Sequence, residues 1–454
     1  MLIAILFIIE IFLILLVFHL MQYDLFRPSV VFLSVFALST FFALLNVFNW
    51  QIDYLPKTLG ILVLGFLLAI TADYLVFLFY SRSIGKEQEL QVLMVEKWKV
   101  FLILLLQFAA LFLYYKEIKR LAVISGYVDG ANLLWHFRNA TSYTAEASIS
   151  GLVSLFVKTS DAIGYVFTFA FIQNALSKKV KLRNYFFYLF PILLFAIRVL
   201  MGSGRQELLR WVAFSVVISY ILLQYRSGWS PKKLSFRYMR KIVVILPITL
   251  GFFYFAASFI GRETTRTFFQ YISTYAGGSI QHFNQYLTER PLVVEKHFGA
   301  ETFPAVYSFL NRFGITTYTR SVHLEMRQLG ITQGNIYTFF RRPYHDFGLF
   351  GMCLMVFVVI LLFSVWYSSF KQKTLGPKTN YSILCYGYLF YWIVLASIEN
   401  YAIGLISLGT VMTLVLIKVI YFFLFDFSLK RRKVKIGYPE QLENESSALK
   451  MMKK

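Results

Sequence analysis

Cysteine is almost absent: 454 residues carry two, Cys353 and Cys385, each inside an apolar run. That excludes a disulfide framework and a cysteine-based metal site. Histidine is also sparse, at six residues. His282, His297 and His323 are scattered without metal-ligand spacing, so no metal site is expected. Acidic residues number 23 against 45 Lys and Arg. There is no internal repeat and no low-complexity segment. What the chain lacks most is any long soluble stretch outside two loops.

Apolar residues make up 58% of the chain, and mean hydropathy is +0.62. A soluble domain carries about 45–50%. Runs long enough to span a hydrocarbon core of about 30 Å recur along the sequence. They fall at about 1–21, 29–49, 58–80, 99–115, 152–176, 185–201, 207–225, 241–259, 347–367, 381–398 and 404–425. The reading is an all-α polytopic membrane protein with about eleven transmembrane helices. Its organisation is a bundle over 1–259, a large external loop with short helices over 260–346, three further helices over 347–425, and a basic tail over 426–454. The first run lacks a basic lead and a small-residue cleavage site, so it reads as a retained helix rather than a signal peptide.

A formal charge of +22 would suit nucleic acid, but in a membrane protein it reports topology first. The tail carries KRRKVK from Lys430 to Lys435 and is placed in the cytoplasm. With eleven spans, about 26 Lys and Arg then fall on the inside and about 16 outside. This is the positive-inside pattern, and no nucleic-acid partner is needed to explain the charge. Two long loops face outward. The first, 116–150, is read as either an interfacial amphipathic helix or a solvated loop. The second, 261–346, holds nine Lys and Arg, six Asp and Glu, and many aromatics. Within it, short helices are expected at 264–275 and 279–287, split by Gly277–Gly278, and another near 302–314.

Ionisable residues inside apolar spans are functional candidates by default. Lys158 and Asp161 stand three apart and are expected to pair. Arg198 precedes the turn MGSGRQELLR. Glu10 and Asp73 have no evident partner, and Lys418 can snorkel to the interface. In the turn, Gly202 and Gly204 let the backbone bend and Arg205 heads the next helix. A helix N-terminus beside a guanidinium is a physical anion site. Arg262 and Arg266 stand where the chain leaves the membrane, and Arg341 and Arg342 where it returns. All four suit a diphosphate at headgroup level. His345 and Asp346 follow, either of which can act as general base beside the arginines. Tyr337 and Tyr344 belong to the aromatics suited to stacking on sugar rings. Interfacial arginines and a packed aromatic cap are the plain alternatives.

The single large external loop late in the chain, the turn MGSGRQELL and the loop exit GNIYTFFRRPYHDFGLFG (Gly334–Gly351) together resemble the O-antigen and capsular oligosaccharide repeat-unit polymerases, the Wzy family of bacteria. The layout covers nearly the whole chain, the motifs about thirty residues. The resemblance implies glycosyl transfer outside the bacterial plasma membrane. A growing glycan would move from undecaprenyl diphosphate onto a lipid-linked repeat unit, with release of the lipid diphosphate. It implies no nucleotide sugar and no metal or other cofactor, in keeping with the missing Asp-x-Asp motif. It would place diphosphate on Arg205 and Arg262 or Arg266, and the sugar acceptor near Arg341, Arg342, His345 and Asp346. A chain-length regulator and a flippase are the implied protein partners. An O-antigen ligase, a lipid-linked oligosaccharide transporter and a multi-span scaffold are the competing readings.

Overall fold

The computed structural model describes residues 1–81, 85–143, 148–202, 205–259, 266–289, 298–318, 324–404 and 407–426, with some side chains, Arg205 among them, left out. The helices are α1 (Leu2–Leu20), α2 (Pro28–Leu45), α3 (Pro56–Tyr80), α4 (Lys97–Ile124), α5 (Leu133–Arg138), α6 (Gly151–Ser177), α7 (Leu189–Met201), α8 (Arg205–Arg226), α9 (Pro231–Phe259), α10 (Phe268–Thr288) and α11 (Pro304–Arg312). A two-stranded hairpin follows, β1 (Arg327–Leu329) and β2 (Thr332–Gly334). Then come α12 (Arg341–Phe370), α13 (Pro377–Leu389), the short α14 (Tyr391–Val394) and α15 (Leu408–Tyr421). Proline opens α2, α3, α11 and α13. There its missing N–H costs no hydrogen bond and its fixed φ already suits the helix.

Among the described residues, eight helices are long and apolar enough to cross a membrane: α1, α2, α3, α4, α6, α8, α12 and α15 with its extension to Asp426. Their outward faces carry large apolar side chains such as Ile8, Phe12, Leu75, Phe101, Phe350 and Leu354. Polar residues on them such as Glu10, Asp73 and Gln107 point inward and are buried. That inversion is what a lipid solvent imposes, because a charge facing hydrocarbon has nothing to solvate it. Glycines let helices close up. A Cβ on Gly65 of α3 would stand 2.6 Å from the Phe340 ring, and one on Gly387 of α13 would stand 2.8 Å from Ile218 of α8.

The helices expected at 264–275 and 279–287 are one helix, α10, opened by a Thr267–Gln270 capping box. Gly277 and Gly278 do not break it. They let it approach Phe42–Ala43 and Leu329, where a Cβ would come within 2.7 and 2.9 Å. The helix expected near 302–314 is α11. The span expected at 381–398 breaks at Phe390, and irregular backbone then runs on from Leu395, packed inside the protein. In the first long loop, α4 continues to Ile124 and the short α5 follows.

Candidate functional site

The chain re-enters the apolar bundle through the motif RRPYHDFGLFG, and its two glycines explain its geometry. Gly348 takes φ +66, a left-handed conformation that kinks α12 between Phe347 and Leu349. A Cβ on Gly351 would fall 2.0 Å from that of Phe347. The first turns of α12 are thereby set off from the long segment below. Phe347 packs on Phe298 and Phe303. Asp346 accepts hydrogen bonds from the backbone N–H of Thr302 (2.6 Å) and Glu301 (3.4 Å). Motif and loop therefore hold each other, and what the loop presents is Glu301.

Glu301 and Arg341 are each about 1% exposed and pair at 2.7 Å. The Arg341 guanidinium also donates to both oxygens of Glu325 at 3.1 Å and lies 3.7 Å over the Tyr286 ring. Arg342 makes a two-point contact with Glu399 (Nε to Oε1 3.0 Å, Nη2 to Oε2 3.2 Å) and donates to the Glu301 carbonyl. Bidentate arginine–carboxylate pairs fix orientation as well as charge. Both guanidiniums are thus matched by three carboxylates and do not present bare positive charge. His345 stands between Tyr286, whose hydroxyl lies 3.0 Å from Nδ1, and Glu301, 3.5 Å from Nε2. Burial pushes Glu301 up to about 7, against the pull of Arg341 and Arg342. Burial acts the same way on Glu325, but Arg341 and its other hydrogen-bond donors outweigh it and hold that carboxyl below its ordinary range. Raised proton affinity therefore sits at Glu301, beside His345.

Tyr337 is fully buried and donates to the Glu325 carbonyl (3.0 Å), so it props the segment before β1 that brings Glu325 to Arg341. Tyr344 is half-buried, edge-on to Tyr286, with the Lys57 ammonium 5.9 Å from its ring. Of the arginines expected at the diphosphate, Arg205 opens α8 but its side chain lies outside the described residues, as does all of Arg262. Arg266 is half-buried, and its carbonyl accepts from Tyr254.

A second polar cluster forms around the same turn. Asp161 pairs with Arg198 rather than with Lys158, which donates to Ser154 instead. The pairing expected from helical spacing gives way because Arg198, also held by Glu207, is buried beside Asp161 and needs the charge more. Arg210, one helical turn further on, makes no hydrogen bond or ion pair among the described residues and lies 3.9 Å over the Tyr391 ring. Tyr391 packs on Tyr401 (5.6 Å). Burial raises the Tyr401 hydroxyl, which lies in the fields of Glu399, Arg210 and Arg342 together. The broken segment after α13 is what joins the two arginine clusters, since Tyr391, Glu399 and Tyr401 all stand on it.

Glu301, Glu325, Glu399, Tyr286 and Arg210 were not singled out by sequence reasoning. A signal existed for one: Glu399 is a lone carboxylate in the apolar stretch LASIENYAIG. Among the described residues no cluster of His, Cys, Asp and Glu is arranged to hold a metal ion. No family model, no curated protein and no solved structure matches the chain.

Proposed function

We propose that the protein is an oligosaccharide repeat-unit polymerase of the bacterial plasma membrane. It joins repeat units carried on undecaprenyl diphosphate, with the large loop outside, the C-terminus in the cytoplasm and eleven helices in all. A chain-length regulator and a flippase are its partners in the envelope. The observation that carries the reading is His345, held between Tyr286 and Glu301 beside two buried arginines at the head of a membrane helix.

In this scheme the acceptor hydroxyl gives its proton to His345 as its oxygen attacks the anomeric carbon. The bond from that carbon to the diphosphate oxygen breaks, and the lipid diphosphate leaves as an anion. Glu301 orients the imidazole and stabilises its charged form, while Asp346 positions Glu301. The leaving diphosphate is received by Arg210 and Arg205 of the glycine turn, with Arg262 and Arg266 at the loop's start. Arg341 and Arg342, neutralised by carboxylates, set the shape of the acceptor pocket, which Tyr344 and Tyr337 line or support.

Deletion of the gene, with the surface glycan resolved on a gel, tests the reading. Lipid-linked single repeats outside the membrane without a ladder are expected. A ladder persisting on the carrier lipid but absent from lipid A would make the protein a ligase. Single repeats held on the cytoplasmic side would make it a flippase.

A further inference from the structure

At the other end of α12 lies a second built site that the polymerase reading does not use. From Leu349 the helix runs unbroken to Phe370, about 33 Å at 1.5 Å per residue. Its far end therefore meets the opposite face of a hydrocarbon core about 30 Å thick. There a cavity of about 40 Å³ opens between the α1–α2 connection, α3, the α8–α9 connection and α12. That is room for about three waters, or one phosphate group. Its lining includes Asp24, Arg27, Tyr80, Trp229, Tyr367 and Lys371.

The polar groups here are almost fully paired, and what is left over has one sign of hydrogen bonding. Asp24 accepts from Tyr220, from Tyr367 and from the Phe26 N–H. Asp73 accepts from Ser29 and pairs with Arg27, whose other terminal nitrogen donates to Ser368. Unspent are the Nε–H of Arg27, a residue 4% exposed, and the indole N–H of Trp229, both buried without a partner. The Lys371 ammonium likewise has no hydrogen bond or ion pair among the described residues. The two buried unpaired groups and Lys371 are all donors, so the fitting occupant presents an acceptor to them, as a phosphate diester does. Buried donors left unpaired cost about 1–3 kcal/mol each. The walls are also strained into place: Gln22 and Trp229 line the cavity with φ of +57 and +60, uncommon for residues with side chains.

Two further observations define the rest of the ligand. An open apolar groove formed by Leu75, Val76, Phe79, Tyr80 and Val365 adjoins the cavity and shares Tyr80 with it. Phe79 is 80% exposed there, on a helix face that otherwise meets lipid. The local charges cancel, Arg27 and Lys371 against Asp24 and Asp73, so an occupant neutral overall is favoured. The Tyr80 and Trp229 rings line the same cavity and suit an ammonium beside the phosphate. We propose that this cavity and groove bind one zwitterionic glycerophospholipid, its phosphate diester on Arg27, Trp229 and Lys371 and an acyl chain along the α3–α12 groove.

The test uses the full chain purified in detergent, mixed with dioleoyl phosphatidylethanolamine, passed through a sizing column and weighed by native mass spectrometry. One retained lipid is expected, with retention about tenfold lower in Trp229→Phe, which keeps the ring but removes the N–H, and in Lys371→Gln. Val365→Trp, which fills the groove without touching the polar groups, should lower it comparably. Equal retention by wild type and all three variants would overturn the proposal. Displacement by millimolar inorganic phosphate would reduce the site to an ion site and overturn the lipid assignment. Preferential retention of dioleoyl phosphatidylglycerol would overturn the neutral headgroup. The solvent-side Lys371→Gln variant keeps the test open should Trp229→Phe fail to fold.

Discussion

Replacing Glu301 with Gln separates what the buried Glu301 charge does for stability from what it does for activity. The carboxyl stands at about 7 in the fold against an ordinary value of 4.5. The folded protein therefore holds this proton more tightly than the unfolded chain does. Its contribution to stability is full below pH 4.5 and is lost as pH rises through 7. At about 1.4 kcal/mol per pH unit the loss approaches about 3 kcal/mol. Gln has the same shape and does not titrate. Removing one partner of a buried ion pair usually costs about 3–5 kcal/mol because the other is stranded. Here Arg341 keeps both oxygens of Glu325, so that penalty is largely avoided. Wild type and Glu301→Gln should have similar thermal midpoints in detergent near pH 5. The variant should gain relative to wild type from about pH 5 to pH 7 and level off above that, while losing glycan polymerisation at least tenfold at every pH. A midpoint difference that does not change with pH would refute the assignment of this charge.

Other outcomes follow from the same geometry. His282 is buried and pushed down to about 4, against the Ile336 carbonyl that favours its charged form. Stability should therefore fall as pH drops below about 6.5, and His282→Gln should blunt that fall in a pH series of thermal scans. Gly348→Ala meets open space, but φ +66 with ψ −161 is a backbone region essentially reserved for glycine, so its cost is conformational, about 1–3 kcal/mol in thermal unfolding. Because the kink orients His345, polymer yield should drop out of proportion to that cost. Arg205→Ala and Arg210→Ala should each abolish the glycan ladder while the protein still inserts in the membrane. A normal ladder from either removes that arginine from the diphosphate site.

The membrane class of the fold was legible because apolar runs of helical length carry it without any tertiary information. Eight of those runs meet the test of length and apolarity in the structure. α7 is short at 13 residues, and α13 breaks off at Phe390 because its continuation carries Tyr391, Glu399 and Tyr401 to the arginines, which no local pattern announces. The Gly277–Gly278 pair shows the limit from the other side. In sequence it reads as a breaker, and only the approach of Phe42 and Leu329 reveals it as a contact surface. At the candidate site the motif residues Arg341, Arg342, His345 and Asp346 were legible because they are contiguous. Their carboxylate partners were not, since Glu301, Glu325 and Glu399 stand up to 57 residues away along the chain. Asp73 looked solitary for the same reason: its partner Arg27 lies 46 residues earlier, in a loop with no motif.

The most direct measurement of the central claim is reconstitution of the purified protein in vesicles with undecaprenyl-diphosphate-linked repeat units and nothing else. Wild type should release one undecaprenyl diphosphate for each repeat unit joined, and His345→Ala should release almost none while keeping its thermal midpoint. Vesicles that form no polymer and release no lipid diphosphate, or a His345→Ala protein that polymerises normally, would contradict the account.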